Sequence, residues 1–273
     1  MTSYLRRIAA VVLLLAMSAG TYAQDTRLVT IVTPRGAKQA FILIKPEKPQ
    51  ASVILLAGGH GALGLRSKDS MRWGAKNFLV RTRAMFAARD LMVAVADAPS
   101  DRQGGMNAIF RMGSAHAGDL AAVAAYLKKE APVPVWLVGT SMGTFSAARG
   151  AIDGHDIDGL VLTSTITRSK PQWKIAAGHR DGVASMALQK VTVPTLIVSH
   201  AQDHCDLTPA ADAPKLRNRL TNAKPVEIVV LTGGDPPRSE PCEAMAQHGF
   251  IGIEGKAVET IAGFILATGR RAD

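Results

Sequence analysis

The chain of 273 residues has few aromatic residues, 5% in all, and no dense run of basic residues, although its formal net charge is +10. A protein that binds nucleic acid is expected to combine a basic stripe with interleaved aromatic side chains. The scattered positive charge therefore argues against nucleic acid as a partner. The sequence also lacks internal repeats and low-complexity segments, which excludes a solenoid. A single domain with one large core is the simplest organisation for this length.

Long apolar runs are scarce, and the stretch from Ile8 to Met17 is too short to span a bilayer. It follows Arg6 and Arg7 and is succeeded by small residues up to Ala23, with no acidic residue in the whole segment. This layout is typical of a secretory signal with cleavage near Ala23. We therefore expect residues 1–23 to be a signal peptide and residues 24–273 to form a single domain. The mature protein is expected in the periplasm or outside the cell, with no stable membrane insertion.

From residue 25 onward, apolar runs alternate with amphipathic helical stretches. The pattern predicts a mostly parallel central sheet with helices on both faces, an α/β fold. In such sheets the chemistry gathers at the carboxyl ends of the strands. Strands are predicted at 28–33, 39–44, 53–56, 91–96, 133–138, 160–164, 195–199 and 226–231, and helices at 72–89, 114–129, 209–220 and 255–268, with another beginning near 144.

The pentapeptide 139–143, Gly-Thr-Ser-Met-Gly, joins a buried strand to a helix. A serine at such a corner is held exposed, as in a nucleophile elbow. Gly139 and Gly143 fit this interpretation, because a side chain at either position would collide with the neighbouring strand or helix. The motif predicts Ser141 as a nucleophile.

A serine nucleophile needs an imidazole to take its proton and a carboxylate to orient that imidazole. His248 is the favoured base, since it lies between the last strand and the last helix. Asp203 follows a buried strand by four residues and is the favoured acid. Asp206 in the same loop is the alternative acid, although it could instead cap the following helix.

The chain has only two cysteines, Cys205 and Cys242. Because an exported protein matures in an oxidising compartment, we expect them to form a disulfide. Cys205 lies two residues after Asp203 and Cys242 lies six residues before His248, so the bond would tie the acid loop to the base loop. A closed loop of this size stabilises a fold by roughly 4 kcal/mol in the chain-entropy treatment.

Acyl transfer also needs hydrogen-bond donors for the developing oxyanion. The backbone N–H of Met142, directly after the nucleophile, is the expected first donor. The glycine-rich segment 58–61 can supply the second, from Gly59 or His60. His60 is a weaker candidate for the base, because it precedes Ser141 and has no obvious carboxylate partner.

The remaining histidines are expected to be structural. His116 lies within a predicted helix and is expected to pack against the sheet. His200 and His204 flank Asp203 and, with Asp206, suggest a metal site, but their spacing lacks the two-histidine helical pattern of a zinc hydrolase. We predict no metal and no other cofactor.

Taken together, these motifs resemble the α/β-hydrolase superfamily in order and spacing, over nearly the whole of the chain after residue 23. The resemblance implies an eight-stranded type of sheet, a serine nucleophile and a covalent acyl-enzyme. The glycine-rich loop departs from the usual pattern, since many members have histidine before the glycines where this chain has Ala57. That departure leaves the second oxyanion donor open.

Only the short segment 166–193 separates two of the predicted strands, which leaves no room for a large cap domain there. We therefore expect an open cleft, suited to short acyl groups or bulky polar esters. Trp173, Met186 and Met106 are candidates to line it or to pack in the core. The leading hypothesis is an exported serine hydrolase acting on a small-molecule carboxylic ester. The alternatives are a peptidase or thioesterase with the same triad and a non-catalytic binding protein on the same scaffold.

Overall fold

A computed structural model describes residues 24–269. The predicted signal peptide, residues 1–23, lies outside the described residues. The described residues form ten strands: β1 (Asp25–Val32), β2 (Lys38–Lys45), β3 (Ala51–Leu56), β4 (Leu65–Ser67), β5 (Ser70–Met71), β6 (Leu91–Ala96), β7 (Val135–Thr140), β8 (Gly159–Thr163), β9 (Thr195–His200) and β10 (Val226–Leu231). The α-helices are α1 (Phe78–Arg81), α2 (Arg83–Ala87), α3 (Ala108–Arg111), α4 (Ser114–Glu130), α5 (Met142–Asp153), α6 (Ala213–Arg219) and α7 (Glu254–Gly269).

Eight of the strands form one sheet in the order β1-β2-β6-β3-β7-β8-β9-β10. The pairs β1 with β2 and β2 with β6 are antiparallel, and all the others are parallel. The predicted α/β class with a mostly parallel sheet is confirmed. The short strands β4 and β5, which were not predicted, pair only with each other.

Helices cover both faces of the sheet, and each face has its own hydrophobic core. On one face, α4, α5 and α6 contribute Leu120, Phe145 and Leu216. On the other face, α1 and α7 contribute Phe78 and Ile261. The five central strands are buried along their whole length, which explains their continuous Val, Leu and Ile runs rather than an alternating pattern. The parallel strands therefore end together at one edge, and that edge holds the predicted site.

The predicted helix at 72–89 is only partly correct. The segment 72–77 is irregular, because the N–H groups of Arg72 and Trp73 donate to the carbonyl of Leu63 and Gly74 has a φ of +85°. Helix begins only at α1, and Thr82 separates it from α2. The left-handed backbone of Gly74 is incompatible with a right-handed helix, so α1 cannot extend back through the segment 72–77. This segment instead forms a wall of the cleft described below.

The segment 166–193 contains no large cap. It forms irregular turns and two short 3₁₀ helices, Gly182–Ser185 and Leu188–Lys190. Its apolar side chains, such as Ile175 and Val183, pack into the core on the α5 side of the sheet. Within residues 24–269, no helix has both the length and the apolar character needed to cross a bilayer.

Candidate active site

Ser141 occupies the sharp corner between β7 and α5. Its backbone has a positive φ of +73° with ψ of −120°, a conformation that is strained for a residue with a side chain and is typical of functional sites. A Cβ atom on Gly143 would lie 2.1 Å from the carbonyl oxygen of Leu56 in β3. A Cβ atom on Gly139 would lie 2.5 Å from the carbonyl oxygen of Gly143. Both glycines are therefore required by close backbone approach, as the sequence indicates.

The fold brings together the three residues predicted to act as nucleophile, base and acid. The Ser141 Oγ lies 3.0 Å from His248 Nε2, and His248 Nδ1 lies 3.0 Å from Asp203 Oδ2. The side chains of His248 and Asp203 are 6% and 1% exposed. The carboxylate is thus shielded from water while it accepts a hydrogen bond from the imidazole. This arrangement fixes the tautomer that leaves Nε2 free to receive a proton from the serine hydroxyl.

Two further donors hold the carboxylate of Asp203. The N–H of Cys205 donates to Oδ1 over 3.0 Å, and the hydroxyl of Thr208 donates to Oδ2 over 2.8 Å. Asp206, the alternative acid, is exposed. The geometry therefore favours Asp203. Sequence reasoning missed Thr208, whose only signal was its position in the acid loop.

The predicted disulfide between Cys205 and Cys242 is present. Cys205 is buried within the acid loop, whereas Cys242 lines the cleft that contains Ser141. The bond joins the loop after β9 to the loop before His248. It therefore restrains the acid and the base relative to each other.

Hydrogen bonds from two other parts of the fold fix the loop that carries His248. The hydroxyl of Ser164, at the end of β8, donates to the carbonyl of His248 over 2.8 Å. Arg81 at the end of α1 donates to the carbonyl of Gly249 over 2.6 Å and forms an ion pair with Glu254 of α7. The loop that carries the imidazole is thus held from the end of β8 and from α1.

The glycine-rich loop after β3 approaches the nucleophile closely. A Cβ atom on Gly58 would lie 2.9 Å from the Cβ of Ser141. Gly59 also lines the cleft, and the indole of Trp73 packs against it. Met142 begins α5, and the first N–H groups of a helix have no acceptor within the helix. The loop and the start of α5 thus both lie next to Ser141.

The His60 imidazole does not act on Ser141 in this arrangement. Its Nδ1 accepts from the N–H of Ala62 over 3.1 Å, and its ring stacks on Trp73 with centroids 3.8 Å apart. Burial lowers the pKa of His60, and the nearby positive charges of Arg111 and Arg72 lower it further. The imidazole hydrogen-bonded to Ser141 belongs to His248, so the geometry does not support His60 as the base.

An open cleft with a volume of ≈ 880 Å³ surrounds Ser141 and His248. Its walls come from two segments, 71–78 and 238–249. Trp73 is 36% exposed there, and Asn77 and Met245 also line the surface. The three candidate lining residues proposed from the sequence are not part of it: Met106 and Met186 are buried, and Trp173 packs against the core.

The other histidines make local contacts. His116 is buried in α4 with its Nε2 2.9 Å from Ser146 Oγ. His200 uses both ring nitrogens in hydrogen bonds to the backbone, at Gly233 O and Gln202 N. His204 is exposed. In the part of the chain that the structure describes, no three His, Cys, Asp or Glu side chains cluster as metal ligands would.

The fold is shared with solved structures of known esterases. A cold-adapted esterase from an Arctic intertidal metagenomic library is 16% identical, with 88% of this chain and 94% of that chain covered and a TM-score of 0.57. The Pyrococcus furiosus esterase Pf2001 is 17% identical, with 89% and 92% covered and a TM-score of 0.60. A dienelactone hydrolase from Anabaena variabilis is 13% identical, with 89% and 98% covered and a TM-score of 0.59.

These likenesses show that the chain has the α/β-hydrolase fold, as the sequence motifs indicate. No family model matches the sequence, and no curated protein matches it either. At identities of this level the likeness extends to the fold alone, so the activity has to be argued from the site itself.

Proposed function

We propose that this chain is an exported serine hydrolase that cleaves carboxylic esters of small molecules through an acyl-enzyme. The observation that carries the proposal is the hydrogen-bonded series Ser141, His248 and Asp203, with 3.0 Å between each pair of partners. Such a series serves nucleophilic acyl transfer on several unrelated folds. The esterases among the structural neighbours are consistent with it.

In the acylation step, His248 Nε2 takes the hydroxyl proton of Ser141 while Oγ attacks the ester carbonyl. The carbonyl oxygen becomes an oxyanion, which accepts hydrogen bonds from the N–H of Met142 and from an N–H of Gly59 or His60. Each such donor contributes about 3 to 4 kcal/mol to the stability of the transition state. The protonated imidazole is stabilised by Asp203 and passes its proton to the leaving alcohol. The products of this step are the alcohol and an ester of Ser141.

In the deacylation step, a water molecule takes the place of the alcohol. His248 removes a proton from the water as it attacks the acyl carbonyl, and then returns that proton to Ser141 Oγ as the carboxylic acid leaves. No redox reagent or metal takes part in this proposed sequence.

The open cleft favours small esters over long lipids. Its walls consist of an aromatic side chain, Trp73, and mixed polar and apolar groups such as Asn77 and Met245. A long acyl chain would gain little from such a surface, because much of it would stay in water. The alternative substrates for the same three residues are thioesters and peptides. The alternative outside catalysis is a binding protein that has this fold but does not turn over a substrate.

The test is hydrolysis of p-nitrophenyl esters of increasing acyl length by the mature protein, residues 24–273, beside Ser141→Ala. We expect turnover of the short esters by the wild type and loss of at least 10³-fold in the variant. Ser185→Ala, which removes a hydroxyl outside the cleft, is the control and should match the wild type. Wild-type turnover no higher than that of Ser141→Ala would overturn the proposal and put thioesters, peptides or binding ahead.

The export part of the proposal has a separate readout. The full-length chain, expressed in a bacterial host with a Sec pathway, should yield a periplasmic or secreted protein whose N-terminus is Gln24. An N-terminal sequence that begins at Met1 would contradict cleavage of residues 1–23.

A further inference from the structure

Arg111 is a buried arginine without a carboxylate partner. It ends α3, is 1% exposed, and forms no ion pair within residues 24–269. Burial lowers its pKa to about 9, so the guanidinium keeps its charge at neutral pH. An unpaired buried charge is costly to a fold unless hydrogen bonds satisfy it. Four hydrogen-bond acceptors satisfy this guanidinium.

Two of those partners are carbonyl groups of the glycine-rich loop. Arg111 Nη2 donates to the carbonyl oxygen of Ala57 over 3.3 Å and to that of Gly59 over 3.2 Å. Arg111 Nη1 donates to Ser146 Oγ over 3.0 Å, and Nε donates to the carbonyl of Met106 over 3.3 Å. The guanidinium thus links the loop after β3 to α5, the helix that begins directly after Ser141.

The groups that face Arg111 leave its charge uncompensated. The imidazole of His116 shares Ser146 Oγ with it, and burial lowers the pKa of His116 to about 3, with the charge of Arg111 lowering it further. That imidazole is therefore neutral. His60 follows Gly59 in the loop, and its pKa is also lowered by burial and by Arg111. The positive charge is directed at the loop carbonyls rather than at an acid.

The bonds to the two carbonyls determine which way the loop N–H groups point. In a trans peptide the carbonyl and the N–H point in opposite directions. The bond to the Gly59 carbonyl therefore turns the N–H of His60 away from the guanidinium, and the bond to the Ala57 carbonyl does the same for Gly58. The Gly58–Gly59 peptide, which carries the N–H of Gly59, lies between these two fixed peptides.

We propose that Arg111 is a positioning residue for the oxyanion loop: it fixes and polarises the peptides that carry the N–H groups of Gly58 and His60, on either side of the Gly58–Gly59 peptide, so that the loop donor is ready for the tetrahedral intermediate. This inference rests on the proposed function, because it assigns a role in the same acyl transfer. A carbonyl that accepts from a cation makes the N–H of its own peptide a stronger donor. The effect is greatest in a site of low dielectric, where preorganised donors need not reorient during the reaction.

The local packing agrees with a close fit around the guanidinium. A Cβ atom on Gly61 would lie 2.2 Å from Arg111 Nη2 and 2.9 Å from the methyl carbon of Met106. Gly61 also has a φ of +68°, which favours glycine. Glycine is therefore needed at position 61 because the Arg111 guanidinium lies directly against it. At position 58 glycine is needed because the side chain of Ser141 lies close by.

The test compares Arg111→Met and Arg111→Lys with the wild type in the mature protein, with Arg149→Met as the control. Arg149 lies on α5 and pairs with Asp153, away from the loop. Two rate constants are measured per active site, after titration with a phosphonate that labels Ser141. They are kcat/KM for a short p-nitrophenyl ester and the rate of phosphonylation, whose phosphoryl oxygen needs the same donors.

We expect both rate constants to fall about 30-fold in Arg111→Met and about fivefold in Arg111→Lys, which keeps the charge but cannot bond the loop carbonyls and Ser146 from separate nitrogens as Nη2 and Nη1 do. Arg149→Met should stay within twofold of the wild type. A purely structural role would lower the fraction of molecules that titrate but leave the rates per active site unchanged. That result in either Arg111 variant would overturn the inference, and Arg111→Lys supplies the answer if Arg111→Met does not fold.

Failure of the proposed function gives a different pattern. If the wild type hydrolyses no ester but Ser141 is still phosphonylated, the ester proposal falls while the phosphonylation rates of the Arg111 variants still decide the inference. If Ser141 reacts with neither reagent, both proposals fall together.

Discussion

The hydroxyl of Thr208 lies 2.8 Å from Asp203 Oδ2 and donates its hydrogen to it. The same hydroxyl oxygen is 3.1 Å from His248 Nδ1. Because Oδ2 also accepts from the imidazole, Thr208 holds the carboxylate oxygen on which the orientation of the base depends. Such outer partners fix the geometry of the groups that react.

Thr208→Val should therefore lower kcat/KM for a short ester by about tenfold, since a hydrogen bond to a charged acceptor contributes about 1.5 to 3 kcal/mol. Valine has nearly the same shape, so packing is preserved. Thr208→Ser keeps the hydroxyl and should remain within about threefold of the wild type. Equal activities of the valine variant and the wild type would show that the carboxylate does not need this donor.

The choice between Asp203 and Asp206 gives a sharper contrast. Asp203→Asn replaces an acceptor by a group that can donate, which favours the wrong tautomer of His248 and should lower kcat by roughly 10³ to 10⁴. Asp206 is exposed, and Asp206→Asn should leave kcat within about twofold. Steady-state kinetics of the two variants side by side decides the acid. A large loss in the Asp206 variant alone would transfer the role to that residue.

Much of this site could be predicted from the sequence, because the strands and the elbow have strong local signals. Five central strands are continuous apolar runs, and the glycines around Ser141 are needed for close backbone approach. Asp203 is predicted from its position after a buried strand, and His248 from its position between the last strand and the last helix. These features depend on short segments of chain, which is why spacing alone predicts them.

The walls of the cleft could not be predicted in the same way. The segment 72–77 has helix-compatible residues apart from Gly74, yet long-range hydrogen bonds to Leu63 hold it in an irregular form that places Trp73 beside Gly59. The partners of Arg111 and Thr208 are likewise distant in sequence or depend on side-chain rotamers. Tertiary contacts outweighed local propensity at these positions, as they commonly do.

The disulfide between Cys205 and Cys242 closes a loop with a sequence separation of 37 residues. Replacing both cysteines by alanine should lower the free energy of unfolding by about 3 to 4 kcal/mol, because the unfolded chain regains the entropy of that loop. Urea unfolding of the variant and of the oxidised wild type measures the difference. The wild type in excess dithiothreitol should match the variant. A change below about 1 kcal/mol would indicate that other contacts already hold the acid and base loops together.

The buried His116 predicts a dependence of stability on pH. Burial lowers its pKa in the folded protein to about 3, whereas the unfolded chain has the ordinary value near 6.5. Below pH 6.5 the unfolded state therefore binds a proton that the folded state does not bind. As the pH falls from 6.5 towards 3, this group should remove about 1.4 kcal/mol of stability per pH unit.

In the variant His116→Gln, the glutamine side chain can form a hydrogen bond with Ser146 but has no group that titrates. Urea unfolding at pH 7.5, 5.5 and 4.5 gives the free energy of unfolding of both proteins. The pH dependence that comes from carboxylates is the same in both and cancels when the two free energies are subtracted. The variant should gain on the wild type by about 1.4 kcal/mol between pH 7.5 and 5.5, and by about 1.3 kcal/mol more by pH 4.5. A constant difference would mean that His116 titrates normally in the folded state, and that its imidazole is charged beside Arg111 at pH 4.5.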